Sequence, residues 1–247
     1  MQIFKARLTC LFSVGDIVID SRIKAVMNFV PKNSRVADIG ADHGYLAIEL
    51  VKNSVASYVV ASDKNAGPLD AAKKNIAAAG LSDFIEVRLG DGLKVLNAGE
   101  VDTICIAGMG GALIAEILND SPEVLNSARQ LILQPMNAVE KVQGFLKNHG
   151  WHIADIELAE VGGIIYEIIS AVKNIELVAT VTKKENSPLL KKFIKQKILK
   201  LQRVLDEMSK SSAAVRSDKF KQIQLGIEEL KFQFNTIELS KTSLFKS

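Results

Sequence analysis

Between Arg35 and Pro135 the chain repeats one unit: a short apolar run, a turn built from glycine or aspartate, and an amphipathic stretch. RVADIG is a buried strand stopped at a glycine, and ADHGYLAIELVKN follows as a helix whose Leu46, Ile48, Leu50 and Val51 suit packing on a sheet. SYVVASD is a second strand ending in an acid, GPLDAAKKNIAAAG a helix with a glycine stop, and FIEVRLGDG a third strand with its turn. VDTICIAGMGG, ALIAEILND and RQLILQP continue as strand, helix and strand, and VEKVQGFLKNHG adds a helix ending at Gly150. Parallel strands need helical crossovers, and those crossovers cover both faces of a sheet. The expected class is therefore α/β with a mainly parallel sheet. WHIADIELAEVGGIIYEIISAVK, two strands around Val161-Gly162-Gly163, predicts one antiparallel edge strand, and SRIKAVMNFVP predicts a leading helix ended by Pro31.

After Lys173 the pattern changes. ELVATVT is a short strand or a linker, and from Pro188 onward glycine all but disappears. Leu189, Leu190, Phe193, Ile194, Ile198, Leu201 and Leu205 recur at helical spacing, as do Phe220, Ile223, Ile227, Leu230 and Phe234. The polar SKSSAAVRSD between them predicts a C-terminal antiparallel helical hairpin. Two domains are expected, 1–180 and 181–247. Charge follows a similar division: residues 183–247 hold 15 Lys and Arg against 7 Asp and Glu, net +8, which leaves 16 against 21, net −5, for residues 1–182. A basic module on an acidic body suits a polyanion, whose neutralised phosphates release counterions, although a solvated lysine-rich helix face accounts for the charge equally well.

A chain of 247 residues with 48% hydrophobic and 24% charged content excludes extended disorder. Cys10 and Cys105 lie far apart, which predicts no disulfide framework; Cys105, inside an apolar run, suits a small buried side chain as well as a reactive thiol. No run approaches the roughly 18 apolar residues that span a bilayer, and the N-terminal stretch lacks a secretory pattern. A cytoplasmic protein with no membrane contact is expected, with no metal, since no Cys/His cluster has zinc spacing.

The chemistry concentrates at successive strand tips. In VADIGADHGYL, residues 36–46, small residues at the end of the first strand let backbone approach a ligand, but Ala41 and Asp42 between Gly40 and Gly44 break the dinucleotide fingerprint. Asp38 and Asp42 repel a pyrophosphate and favour a ligand with sulfonium and ammonium charges, which points to S-adenosylmethionine over NAD. Asp63, ending the second strand, can accept both ribose hydroxyls, or simply cap a helix. Asp91 and Gly92 fall on schedule at the third strand, where an acid can receive the adenine amine, although G-D-G alone is an ordinary turn. Ala107-Gly108-Met109-Gly110-Gly111 is bare enough to leave room for a flat substrate base, with Ala107 on the cofactor side. Gln134-Pro135 offers an amide to a base edge, or is a plain strand stop. His43 and Tyr45 are candidates to stack on that base, against the commoner structural role of such residues.

Together VADIGADHGYL, GDGL, IAGMGG, LILQP and the YEII near residue 166 resemble the bacterial tRNA adenine(22)-N1-methyltransferases over roughly residues 20–172, more loosely in the tail. Departures are Met136 after Gln-Pro where asparagine is usual, Ala47 where proline is usual, and a longer stretch before Asp20. The resemblance implies a Rossmann-like methyltransferase fold, S-adenosylmethionine as cofactor, adenine 22 of tRNA as acceptor, and a coiled-coil-like tail that helps hold the tRNA. Lys183, Lys184, Lys191, Lys192 and Lys195 are the tail lysines expected at the RNA, and a monomer is favoured. No catalytic acid or base is expected, because adenine N1 already carries a lone pair and alignment supplies much of the rate. The competing readings are a methyltransferase for another nucleic acid or a small molecule, and a non-catalytic RNA-binding protein on the same fold.

Overall fold

The computed structural model describes residues 20–174 and 188–243, with side chains to residue 236. ELVATVT, Lys183, Lys184, Cys10 and the stretch before Asp20 lie outside the described residues. The chain forms two compact units, Met1–Val181 and Thr182–Ser247. The first runs α1 (Ser21–Phe29), β1 (Ser34–Ile39), α2 (Tyr45–Lys52), β2 (Ala56–Asp63), α3 (Ala66–Ala78), β3 (Ile85–Leu89), a 3₁₀ turn (Gly92–Val95), β4 (Thr103–Met109), α4 (Gly111–Asn119), α5 (Pro122–Ser127), β5 (Gln130–Pro135), α6 (Val139–Asn148), β6 (His152–Val161) and β7 (Ile164–Val172). The short α5, not anticipated above, carries its own signal in proline at the first helical turn.

The strands form one sheet in the order β3-β2-β1-β4-β5-β7-β6. β1 to β5 are mutually parallel, and β7 is antiparallel to both β5 and β6. The reversed strand is thus second from the edge, and β6 is the edge strand, a correction to the antiparallel edge expected above. The reason is burial: β7 is covered along nearly its whole length, whereas β6 is mostly half-buried and tolerates the rim.

Period-two alternation splits the strand residues between two cores. Ala37, Ile39, Ile104, Ile106, Leu131 and Leu133 pack under Ile114, Leu118, Val142 and Leu146 of α4 and α6. Val36, Val59, Ala61, Cys105 and Ile132 pack with Val26, Leu46, Leu50 and Ile76 of α1, α2 and α3. Since β2 and β4 flank β1 on opposite sides, the chain changes direction across the sheet at β1, and a crevice opens at the carboxyl ends there.

The second unit contains α7 (Pro188–Met208), the single turn α8 (Ser212–Val215) and α9 (Asp218–Ser243). α7 and α9 pack together as a hairpin, with Ile194 and Ile227 buried between them. The expected reversal is present, though part of it is helical: Ser211 caps α8 through the amide of Ala214.

Candidate active site

The turn after β1 is shaped by three left-handed residues, Gly40 (φ +77°), Asp42 (φ +38°) and Gly44 (φ +73°). Glycine enters this region without steric cost, and aspartate is among the few side chains that tolerate it. The amides of Gly40 and Ala41 donate to the carbonyl of Ser62 at 2.7 and 2.9 Å, fixing the turn to the tip of β2. Gly44 has no side chain with which to cap α2, and the Ala47 amide in the first turn of that helix faces the Asp38 carboxyl of β1. Oδ2 of Asp38 is buried and has no hydrogen-bond partner among the described residues. Burial drives the Asp38 carboxyl up to about 7, the Ala47 amide opposes this, and the charge of Asp63 adds to it.

Two clefts flank this turn and share Gly40. The first, of about 250 Å³, brings together Asp38, Gly40, Asp42, His43, Tyr45, Ala107, Gly108 and Gln134 with Asp20, Arg22, Ile23 and Val26. The second, of about 220 Å³, is lined by Gly40, Ser62, Asp63, Asp91, Gly92 and Met109 among others. Met109 lies over Gly40 so closely that a Cβ on Gly40 would overlap its terminal methyl. Gly110, Gly111 and Pro135 line neither cleft. Gly111 instead lets α4 start against the loop after β5: its amide donates to Asn137 O at 3.0 Å, and a Cβ there would overlap the Ala138 carbonyl.

In the second cleft, Asp63 Oδ1 accepts from the Asn65 amide at 2.8 Å and its side-chain nitrogen at 3.2 Å, and neither bond uses Oδ2. Ser62 Oγ beside it is buried without a partner among the described residues. Asp91 is exposed and pairs at 3.2 Å with Lys94 Nζ, which also reaches Asp120. In the first cleft, His43 and Tyr45 stack at 5.4 Å and 19°. Gln134 is buried; its Oε1 accepts from the Gly108 amide at 3.0 Å and its Nε2 donates to Pro135 O at 3.2 Å. The amide expected to meet a base edge therefore holds the bare Gly108 turn in place. Cys105 is buried beneath the site, and burial pushes its thiol well above its ordinary range, which makes it inert. No group of His, Cys, Asp and Glu among the described residues could hold a metal ion.

Asp20 and Arg22 were not anticipated. Asp20 Oδ1 caps α1 by accepting from the amides of Arg22 at 2.8 Å and Ile23 at 3.1 Å. Its Oδ2 accepts from Arg22 Nε at 3.0 Å and Nη2 at 2.6 Å. Burial acts to raise the Asp20 carboxyl, but these hydrogen bonds outweigh it and hold the group below its ordinary range. The guanidinium lies 5.3 Å from the ring centroid of Tyr166 on β7. An aspartate before an apolar helix was a readable cap signal. Arg22 gave none, because Tyr166 and Met136 join it only in the folded chain.

The methyltransferase-domain family profile matches residues 19–169. The tRNA (adenine(22)-N(1))-methyltransferase of Bacillus subtilis is 37% identical over 158 residues, 64% of this chain and 66% of that protein, just under two thirds of its length. The crystal structure of the Bacillus subtilis enzyme superposes with a TM-score of 0.71 at 30% identity, covering 90% of this chain and 98% of that one. The chain belongs to the tRNA (adenine(22)-N1)-methyltransferase family. Another similar structure, Streptococcus pneumoniae Sp1610, was solved in complex with S-adenosyl-L-methionine and is 30% identical with a TM-score of 0.69, covering 88% of this chain and 100% of that one. S-adenosylmethionine, the cofactor of this family, fits the two clefts chemically. Asp38 Oδ2 lacks the donor an ammonium would provide, Ser62 Oγ and Asp63 Oδ2 flank a space suited to a ribose, and Gly40 leaves backbone bare between them.

Proposed function

We propose that this chain transfers a methyl group from S-adenosylmethionine to N1 of adenine 22 in tRNA. The observation that carries the reading is the junction at Gly40: a cleft with ribose-type acceptors meets one that combines a half-satisfied buried acid with a stacked aromatic pair. When bound, the cofactor supplies a methyl group on a sulfonium centre, an electrophile suited to a ring nitrogen that needs no prior deprotonation. Asp38 would hold the ammonium, Asp63 the ribose hydroxyls, and Asp91 and Gly92 would frame the adenine. N1 lies on the pairing edge, so the target base must leave its stack, and His43 and Tyr45 offer it a surface at the cleft. Gly108, braced by Gln134, leaves space beside them. The methylated base is cationic, and Asp42 together with backbone carbonyls near Gly108 can stabilise that charge as it develops.

The helical hairpin is proposed to grip the RNA backbone. Lys192 and Lys195 on α7 are exposed, and Lys191 sits partly buried with its ammonium 6.0 Å from the Phe234 ring centre. No described helix is long and apolar enough to cross a membrane, and the proposed setting is a cytoplasmic monomer. Incubating purified protein with labelled cofactor and unmodified tRNA, then locating the methylated nucleoside by nuclease digestion and mass spectrometry, tests the reading. Label at N1 of adenine 22 is the expected result, and methylation of another nucleotide, or none, refutes it.

A further inference from the structure

We infer that Arg22 takes the carboxylate of the cofactor's methionine moiety, facing the same amino-acid group whose ammonium Asp38 takes. The inference rests on the reading of the first cleft as an S-adenosylmethionine site and adds the residue that reading lacks. An amino-acid group in its zwitterionic form brings one negative and one positive charge. The cleft lining supplies three carboxyl side chains, Asp20, Asp38 and Asp42, which would repel an unpartnered carboxylate. Among its described lining residues Arg22 is the one lysine or arginine.

Arg22 is also built for the task. A guanidinium has five N–H groups in a fixed plane. Asp20 Oδ2 engages Nε and Nη2, while Asp20 Oδ1 is occupied by two backbone amides, so Asp20 is a positioning residue that orients Arg22. Among the described residues Nη1 meets only the thioether of Met136 at 3.5 Å, a weak acceptor that a carboxylate oxygen readily replaces. Tyr166 supports one face of the plane. With its side chain held from three directions, Arg22 loses little freedom when it closes on a carboxylate, and the planar fork matches that group in a way lysine cannot.

The test compares two ligands by calorimetry on the full chain: S-adenosylmethionine and its decarboxylated analogue, which keeps sulfonium and amine. Wild type should bind the first about 10- to 100-fold more tightly, the range of a charge-assisted contact. Arg22→Met should lose a similar factor for S-adenosylmethionine and bind the two ligands alike, with Arg22→Lys, which keeps the charge and so guards against misfolding, in between. Arg22→Met that retains the preference for the carboxylated ligand overturns the assignment. So does an unchanged cofactor affinity with a raised KM for tRNA, which would give Arg22 to an RNA phosphate. If wild type binds neither ligand, the reading of the cleft falls, and this assignment with it; if wild type binds both equally, only the assignment falls.

Discussion

Replacing Asp38 with asparagine should move stability and cofactor affinity in opposite directions. The carboxyl titrates at about 7 in the folded chain against an ordinary 3.8, chiefly through burial, with the Ala47 amide opposing and Asp63 adding. The folded acid therefore keeps its proton to higher pH than the unfolded chain does. Between about pH 4 and 7 the native state binds more protons, and stability falls as pH rises through that window. At about 1.4 kcal/mol per unit, ionised Asp38 costs the ligand-free fold on the order of 4 kcal/mol above pH 7, less wherever water enters the cleft. The substituted amide would still accept from Ala47 through its oxygen and cannot ionise, so the slope disappears. Thermal unfolding from pH 4 to 9 should show the variant melting on the order of 10 °C higher at pH 8 and little different at pH 4. Calorimetry at pH 8 should show the cofactor bound about 10- to 100-fold more weakly, from loss of a charge-assisted contact. Parallel stability curves for the two proteins, or an unchanged dissociation constant, would refute the reasoning.

Asp63→Ala should weaken cofactor binding about 10-fold by removing a ribose acceptor, and an unaltered calorimetric titration would strip Asp63 of that role. Gly111→Ala should destabilise the fold by about 1–3 kcal/mol, because its Cβ meets rigid backbone at Asn137 and Ala138. Gly110→Ala meets only the Asn137 side-chain oxygen, at 3.1 Å, and should melt later than Gly111→Ala; the reverse order would contradict the packing described. Reversing Lys192 and Lys195 to glutamate should weaken tRNA binding and flatten its salt dependence while leaving cofactor affinity alone. If filter binding across a salt series shows neither change, the hairpin is not the RNA grip.

The parallel core was legible because β1 to β5 are short apolar runs punctuated by glycine or acid at regular intervals, a pattern few folds satisfy. The order of the last two strands was missed although a signal was present: β6 is interrupted by Asp155, Glu157 and Glu160, whereas β7 is a nearly continuous apolar run broken by Glu167 and Ser170, the pattern of a strand covered on both faces. At the site, the acids Asp38, Asp63 and Asp91 could be found because each lies at or beside a strand end. The division of labour around them could not. Sequence spacing does not reveal that Gln134 is committed to Gly108, or that Gly111 packs against a loop rather than opening a pocket. Arg22 was hidden for a related reason: its role depends on helix α1 reaching residues at the far end of the unit.

That reach has a consequence. α1 precedes the first strand, yet it packs on β5, β6 and β7, with Ser21 Oγ donating to Glu160 O at 2.7 Å and Gln130 Nε2 to Phe29 O at 2.9 Å. One wall of the first cleft is thus a short cassette, while Asp38 and Asp63 belong to the permanent framework of the sheet. Exchanging the rest of this helix while keeping Asp20 and Arg22 could reshape that wall without rebuilding the strand tips, so new pocket shapes can arise by editing a single nine-residue helix.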